Sequence, residues 1–379
     1  MSGIRSEELQ ALRDTAAAYL AGHANARDGR DGDPALWQGI AGLGWPAVIV
    51  PEACGGLGLG LAEAAVLLEE SGRPLTRSPL FTGVALSHPM LLRCATEAAG
   101  QRLLPELAEG RLITTVIAGP GLSPFVDAAG LEIRARRDGA GWLLEGTAAQ
   151  VLDGDTAELA FVVARLEEGG LGLFELPADS PGVSRSPLPA WDLSRPQACW
   201  RLDGVRLADA ARLDAPGTLA PGPGGRLAAA LATTALLLAA EQVGGAARCI
   251  ELTVAYTRER QQFGRPVASF QAVKHRCAEM IVKLESARSA LAGALAACPG
   301  LDTAPALDEI AVARVQAAAA YRFCAAEAIQ LHGGVGFTWE YDPQLHFKRA
   351  QWGSQWFGTP DAWRDAVADA LLGRREDHE

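Results

Sequence analysis

The 379-residue sequence is poor in basic residues, with 34 Lys and Arg against 45 Asp and Glu. A net charge of −11 makes a nucleic-acid footprint implausible. Its seven cysteines, at 54, 94, 199, 249, 277, 298 and 324, form no C-x-x-C pair, which argues against a disulfide scaffold or zinc ribbon and suits a reducing cytosol. The six histidines show no metal-ligand spacing. Long apolar runs are missing too. The longest helical candidate, Leu227 to Ala240, has 14 residues, too few for a bilayer, and reads as a buried helix. Gly56-Leu-Gly58-Leu-Gly60 lacks the G-x-G-x-x-G spacing of a dinucleotide fingerprint, and neither a nucleophile elbow, a zincin motif nor a phosphate-binding P-loop occurs. The N-terminus reads as an amphipathic helix with acids in its first turn rather than a secretory signal, so a cytoplasmic protein is expected.

What is there falls into three stretches. Residues 1–113 carry apolar residues at helical spacing (Leu9, Leu12, Ala16, Leu20; Leu61 to Leu68) between Gly and Pro breaks. Residues 114–214 hold short apolar segments separated by turn signals, as expected of an antiparallel barrel or sandwich. Glu132 to Gly146, turning at Asp138-Gly139, reads as a hairpin. Residues 215–379 open on the linker Ala220 to Gly225 and continue as three or four long helices. Helices, then strands, then helices is an α+β order, not a doubly wound one.

Two blocks in the last stretch suggest chemistry. Arg258-Glu-Arg260-Gln-Gln-Phe263-Gly264-Arg-Pro, followed by Phe270-Gln271, puts a forked cation before a helix break, suited to a diphosphate. Gln330-Leu-His-Gly333-Gly334-Val-Gly336 is a glycine turn through which backbone N–H groups can approach an anion. Asp153 and Asp155 read as turn residues. Trp352, Trp356 and Trp363 read as a helical packing stripe. His346-Phe-Lys348-Arg349 reads as a surface patch that could touch a phosphate.

Together with Gly42-Leu-Gly-Trp-Pro-Ala and Pro51-Glu to Gly60, these blocks make the sequence resemble the acyl-CoA dehydrogenase family over nearly its whole length. The resemblance implies an N-terminal helical domain (1–113), a central antiparallel β-barrel (114–214) and a C-terminal four-helix bundle (215–379). It implies FAD as cofactor, an acyl-CoA thioester as substrate, α,β-dehydrogenation as reaction and electron-transferring flavoprotein as acceptor. It assigns Arg260, Phe263, Gln271, Gln330, Gly333 and Gly334 to the diphosphate and adenosine end of a flavin held by a neighbouring subunit.

The resemblance fails where the family does its chemistry. Phe357 in Trp356-Phe357-Gly358-Thr359 stands where many members carry the catalytic Glu, and Thr234 stands at the alternative base position. Ala118-Gly119-Pro120-Gly121 and Gln150-Val151-Leu152 replace the segments that cradle the flavin ring in a subunit's own site. The sequence therefore resembles the base-less subunit of heterotetrameric α2β2 dehydrogenases of steroid and lipid catabolism. The rival expectations are a self-sufficient homo-oligomer with a relocated base, or an oxidase or monooxygenase on the same fold. Glu241, two turns beyond Thr234 and about 10 Å along the helix, is the candidate relocated base. Its alternative is a buried Glu tied to an Arg.

Overall fold

A computed structural model gives the structure of the chain and describes all residues except 1, 28–31, 126–129, 221, 223 and 377–379. The linker expected at Ala220 to Gly225 lies partly outside the described residues.

Five helices come first: α1 (Ser2–His23), α2 (Pro34–Gly42), α3 (Leu61–Gly72), α4 (His88–Cys94) and α5 (Glu97–Ala108), with a π-helical turn, Phe81–Ser87, leading into α4. Side-chain caps start two of them. The Asp33 carboxylate accepts from Ala35 N at 2.8 Å with Pro34 in the first turn, and Thr96 Oγ1 accepts from Ala99 N at 3.3 Å. The first turn of α1 holds no acid, because the helix begins at Ser2 and Glu7 and Glu8 fall in its second turn.

Seven strands follow: β1 (Thr114–Ile117), β2 (Arg134–Asp138), β3 (Gly141–Leu152), β4 (Leu159–Leu166), β5 (Leu171–Pro177), β6 (Val183–Pro187) and β7 (Gln197–Ala208). The expected hairpin is β2–β3, closed at Asp138↔Gly141. The sheet is mixed: β1 and β2 pair in succession, and parallel, along one side of β4, while the other four pairings are antiparallel. An unbroken run of buried apolar residues, Leu159 to Ala164, explains why β4 accepts partners on both sides. β6 is an exposed edge strand ending in Pro187, so no apolar alternation announces it.

The chain closes with α6 (Arg226–Glu259), the two-residue strands β8 (Gln261–Gln262) and β9 (Arg265–Pro266), α7 (Gln271–Ala297), α8 (Leu307–His332), α9 (Pro343–Gly353) and α10 (Pro360–Glu376). The 14-residue run seen in the sequence is the start of a 34-residue helix. By length and composition α6 could cross a membrane, but 94% of its most apolar window is buried inside the fold. Four buried threonines are tolerated there because Thr233, Thr234, Thr253 and Thr257 each bond the carbonyl four residues earlier. One large core joins both helical segments to one face of the sheet, and a second core lies within the sheet around Trp142, Phe174 and Trp200.

Candidate functional site

The two sequence-predicted blocks meet at one end of the last helices. Arg260 follows α6, and its N–H donates to Tyr256 O at 2.9 Å. β8 and β9 form a hairpin whose two loop residues, Phe263 and Gly264, both have positive φ, +54° and +75°. Such a loop ordinarily takes Asn-Gly, so an aromatic residue there is strained, and the strain keeps Phe263 at the tip with 92% of its surface exposed. Phe270 meets Phe263 edge-on at 6.1 Å, and the Arg265 guanidinium lies 4.2 Å over Phe270. Gln271 then opens α7. The Gln330 block joins because His332 ends α8 and stacks on Tyr256, ring centroids 4.3 Å apart.

This edge is open. The side chains of Arg260, Gln271 and Gln330 are exposed and make no hydrogen bond or ion pair among the described residues. Gly333 has φ +66° and ψ −147°, a conformation close to glycine-only, and a Cβ added at Gly333 or Gly334 would meet nothing within 4 Å. Free amide and guanidinium donors around a bare backbone turn suit an extended anion such as a diphosphate.

The other predicted positions lie elsewhere. Glu241 is 19 residues before Arg260 on the same helix, about 28 Å along its axis. Thr234 is fully buried, and its hydroxyl donates to Ala230 O at 3.1 Å. Phe357 is fully buried beside Phe81 and Trp356, at 5.9 and 6.1 Å. Its N–H donates to Gly121 O at 2.7 Å, tying its segment to the shortened loop after β1. Where Gly119, Gln150 and neighbouring strand residues face one another, a cavity of about 40 Å³ remains. That holds a few waters, whereas pockets for drug-sized ligands run to about 300–1,000 Å³. This cavity is too small for a tricyclic ring, while the open edge offers room and donors for a diphosphate.

Between sheet and helices lies a buried ion network. Arg349 on α9 donates to Glu241 Oε1 at 2.7 Å, to Asp192 Oδ2 at 2.6 Å and to Ser194 Oγ at 2.6 Å. Arg195 donates to Glu241 Oε2 while its guanidinium lies 4.4 Å over Phe81. All five polar residues are at most 7% exposed. Burial opposes ionisation of Asp192, yet Arg349 and Ser194 hold its pKa below the usual range. Burial, with Arg349 close by, pushes Arg195 well below its ordinary value. Asp153, read from sequence as a turn residue, does have φ +50°, and its carboxylate also takes Arg77 at 3.2 Å and Thr82 at 2.7 Å. Arg314 is buried without a carboxylate, bonded to Gln242 Oε1 at 2.8 Å, to Trp356 O at 3.0 Å and to Gly353 O. Burial lowers its pKa to about 9.

Two sequence readings change here. His346 and Arg349 are buried, not a surface patch, because Tyr321 and the carboxylates of Glu241 and Asp192 receive them. Lys348 alone of the three stays partly exposed, 4.7 Å over Trp339. The three tryptophans share no single stripe. Trp352 ends α9 and stacks on Trp356, while Trp363 sits on α10 with its Nε1 donating to Phe357 O at 2.9 Å. Sequence reasoning missed Arg195, Asp192, Arg314 and the Tyr256–His332 stack. Arg314, the one charge in the alanine-rich run from Ala311 to Ala320, was the one local signal. Among the described residues no group of three or more His, Cys, Asp or Glu could hold a metal.

Two family models match the chain: acyl-CoA dehydrogenase, N-terminal domain, over residues 6–111, and acyl-CoA dehydrogenase, C-terminal domain, over residues 225–372. The chain is 35% identical over 364 residues to acyl-CoA dehydrogenase IpdE2 of Mycolicibacterium smegmatis, covering 94% of this chain and 96% of that one. Among solved structures, a variant of the Tcur3481–Tcur3483 steroid ACAD aligns with a TM-score of 0.82 at 30% identity, over 98% of this chain and 99% of that one. The ChsE4–ChsE5 complex from Mycobacterium tuberculosis aligns with a TM-score of 0.83 at 24% identity, over 96% and 97%, which establishes likeness of fold.

Proposed function

Because the chain belongs to the acyl-CoA dehydrogenase family, we propose that it is the subunit of a heteromeric α,β-dehydrogenase that completes a flavin site in a homologous partner. One observation supports the reading: Arg260, Gln271 and Gln330 stand exposed with unspent donors beside the bare Gly333–Gly334 turn, while Phe357 and Thr234, where the family resemblance expects a base, are buried and not acidic. On this reading Arg260, Gln271 and Gln330, with the backbone at Gly333 and Gly334, would hold the diphosphate and adenosine end of the partner's FAD, and Phe263 would pack beside it. When bound, FAD supplies the acceptor for the β-hydride of an acyl-CoA thioester. The α-proton goes to a base this chain does not provide. Glu241 is structural here, because both of its oxygens are taken by guanidinium groups. The Tcur3481–Tcur3483 steroid ACAD, a pairing of two proteins, supports a heteromeric assembly and a steroid-derived acyl group, and the α2β2 stoichiometry follows from the family resemblance. Electron-transferring flavoprotein as the final acceptor, and a cytoplasmic location, follow from the family resemblance and belong to the same proposal.

The test is flavin content, measured for the chain alone and for the complex with a co-expressed dehydrogenase-like partner. The expected result is a colourless lone chain and a yellow complex with fewer than one FAD per chain, losing flavin on Arg260→Ala. One FAD per chain in the lone protein would overturn the proposal in favour of a self-sufficient dehydrogenase or oxidase.

A further inference from the structure

We propose that Tyr256 and His332 are a positioning pair. They set the two halves of the open edge, Arg260–Phe263 and Gln330–Gly334, in register so that both grip one diphosphate. The inference rests on the flavin-completing reading above and adds residues that do not touch the flavin.

The edge is assembled from chain ends that little else holds. α6 and α8 finish side by side, and the segment beyond each is exposed: every residue from Gln261 to Pro266, and Gly333 and Gly334. The rigid parts nearest the edge are the last turns of the two helices. Tyr256 lies in the last turn of α6, and its carbonyl receives the Arg260 N–H. His332 is the last residue of α8, immediately before Gly333. Their rings stack at 4.3 Å with planes 20° apart. Tyr341 stands edge-on to both, at 5.9 and 6.1 Å, and closes the third side.

The histidine is fixed from within. Its Nδ1–H donates to Ala328 O at 2.6 Å, since a carbonyl can only accept. Burial lowers the pKa of His332, which favours the uncharged ring in the stack. The glycine turn is folded back on the same residue. A Cβ at Gly336 would come within 2.9 Å of His332 Cβ and 2.7 Å of Ile329 O. A ring-wide stack thus couples the helical turn that leads into Arg260 to the residue that immediately precedes Gly333. A displacement of about 1 Å between such halves weakens a shared grip without breaking the fold.

The experiment uses the complex with its dehydrogenase-like partner, stripped of flavin and titrated with FAD. Assembly is followed by size-exclusion chromatography, and melting temperature is recorded for each variant. Tyr256→Ala and His332→Ala should each weaken FAD binding about tenfold while the complex still assembles. Tyr256→Phe, which keeps the stack, should bind as wild type. The double alanine variant should be no worse than either single one, because both remove the same contact. If Tyr256→Ala prevents assembly, Tyr256→Leu carries the test, keeping apolar bulk without the stack. Arg260→Ala separates the two readings. If it weakens FAD binding and the Tyr256 and His332 variants do not, the positioning role is wrong and the flavin-completing reading stands. If Arg260→Ala leaves FAD binding unchanged, that reading itself falls.

Discussion

Arg349 on α9 and Glu241 on α6, 108 residues apart in sequence, meet at 2.7 Å where neither reaches solvent. Arg195 takes the other oxygen of the same carboxylate. Removing a partner from a buried pair costs about 3–5 kcal/mol, since the remaining charge is stranded. Glu241→Ala strands the Arg195 guanidinium, while Arg349 keeps Asp192, and should lower urea stability by about that much. Exchanging Asp192, Arg195, Glu241 and Arg349 together for apolar residues of similar volume should cost far less.

Burial holds His88 and His346 neutral, with pKa values lowered to about 3 from 6.5. Between those values the unfolded chain binds more protons than the folded one. Their contribution is therefore complete above pH 6.5 and is lost as pH falls, by up to about 1.4 kcal/mol per pH unit for each. Urea midpoints taken between pH 7.5 and 4.5 should fall accordingly. His88→Leu should flatten the slope by about one proton.

Putting a carboxylate at Phe357, where the sequence resemblance expects the base, should not create a dehydrogenase. Phe357 is fully buried against Phe81 and Trp356. Phe357→Glu loses that packing and buries a new charge, with an expected cost of roughly 3–5 kcal/mol. A lower melting temperature and no acyl-CoA-dependent dye reduction by the lone chain are the expected readings.

Gly334 and Gly336 should separate binding from folding. A Cβ at Gly334 meets nothing within 4 Å, so Gly334→Ala should leave stability within about 0.5 kcal/mol. It should nevertheless weaken flavin retention by the complex, because the methyl group enters space offered to the diphosphate. Gly336→Ala drives a methyl into the Ile329 carbonyl and should destabilise the chain itself by about 1–3 kcal/mol.

Local patterns in the sequence carried much of the architecture. The β2–β3 hairpin, the start of α6 and the order of helices, strands and helices follow from periodicity and turn residues within a few positions of one another. The polar strand β6 and the parallel pairing of β1 and β2 with β4 have no local signature. Arg349 shows why charge patterns mislead: beside Lys348 it looks solvated, and its partners Asp192 and Glu241 come from distant parts of the chain. The two blocks of the open edge were legible because chemistry and spacing sit in the same few residues. The stack joining them was not, because Tyr256 and His332 meet across two helices.

The closed network of Asp192, Arg195, Glu241 and Arg349 also bears on descent. Its two acids and two bases balance, so replacing any one leaves an odd buried charge. Opening this space to a ligand would require several of these side chains to change together, because each single change passes through a weakened protein. Among the described residues, the exposed side chains of Arg260, Gln271 and Gln330 belong to no such network, so they can change while the interior stays locked.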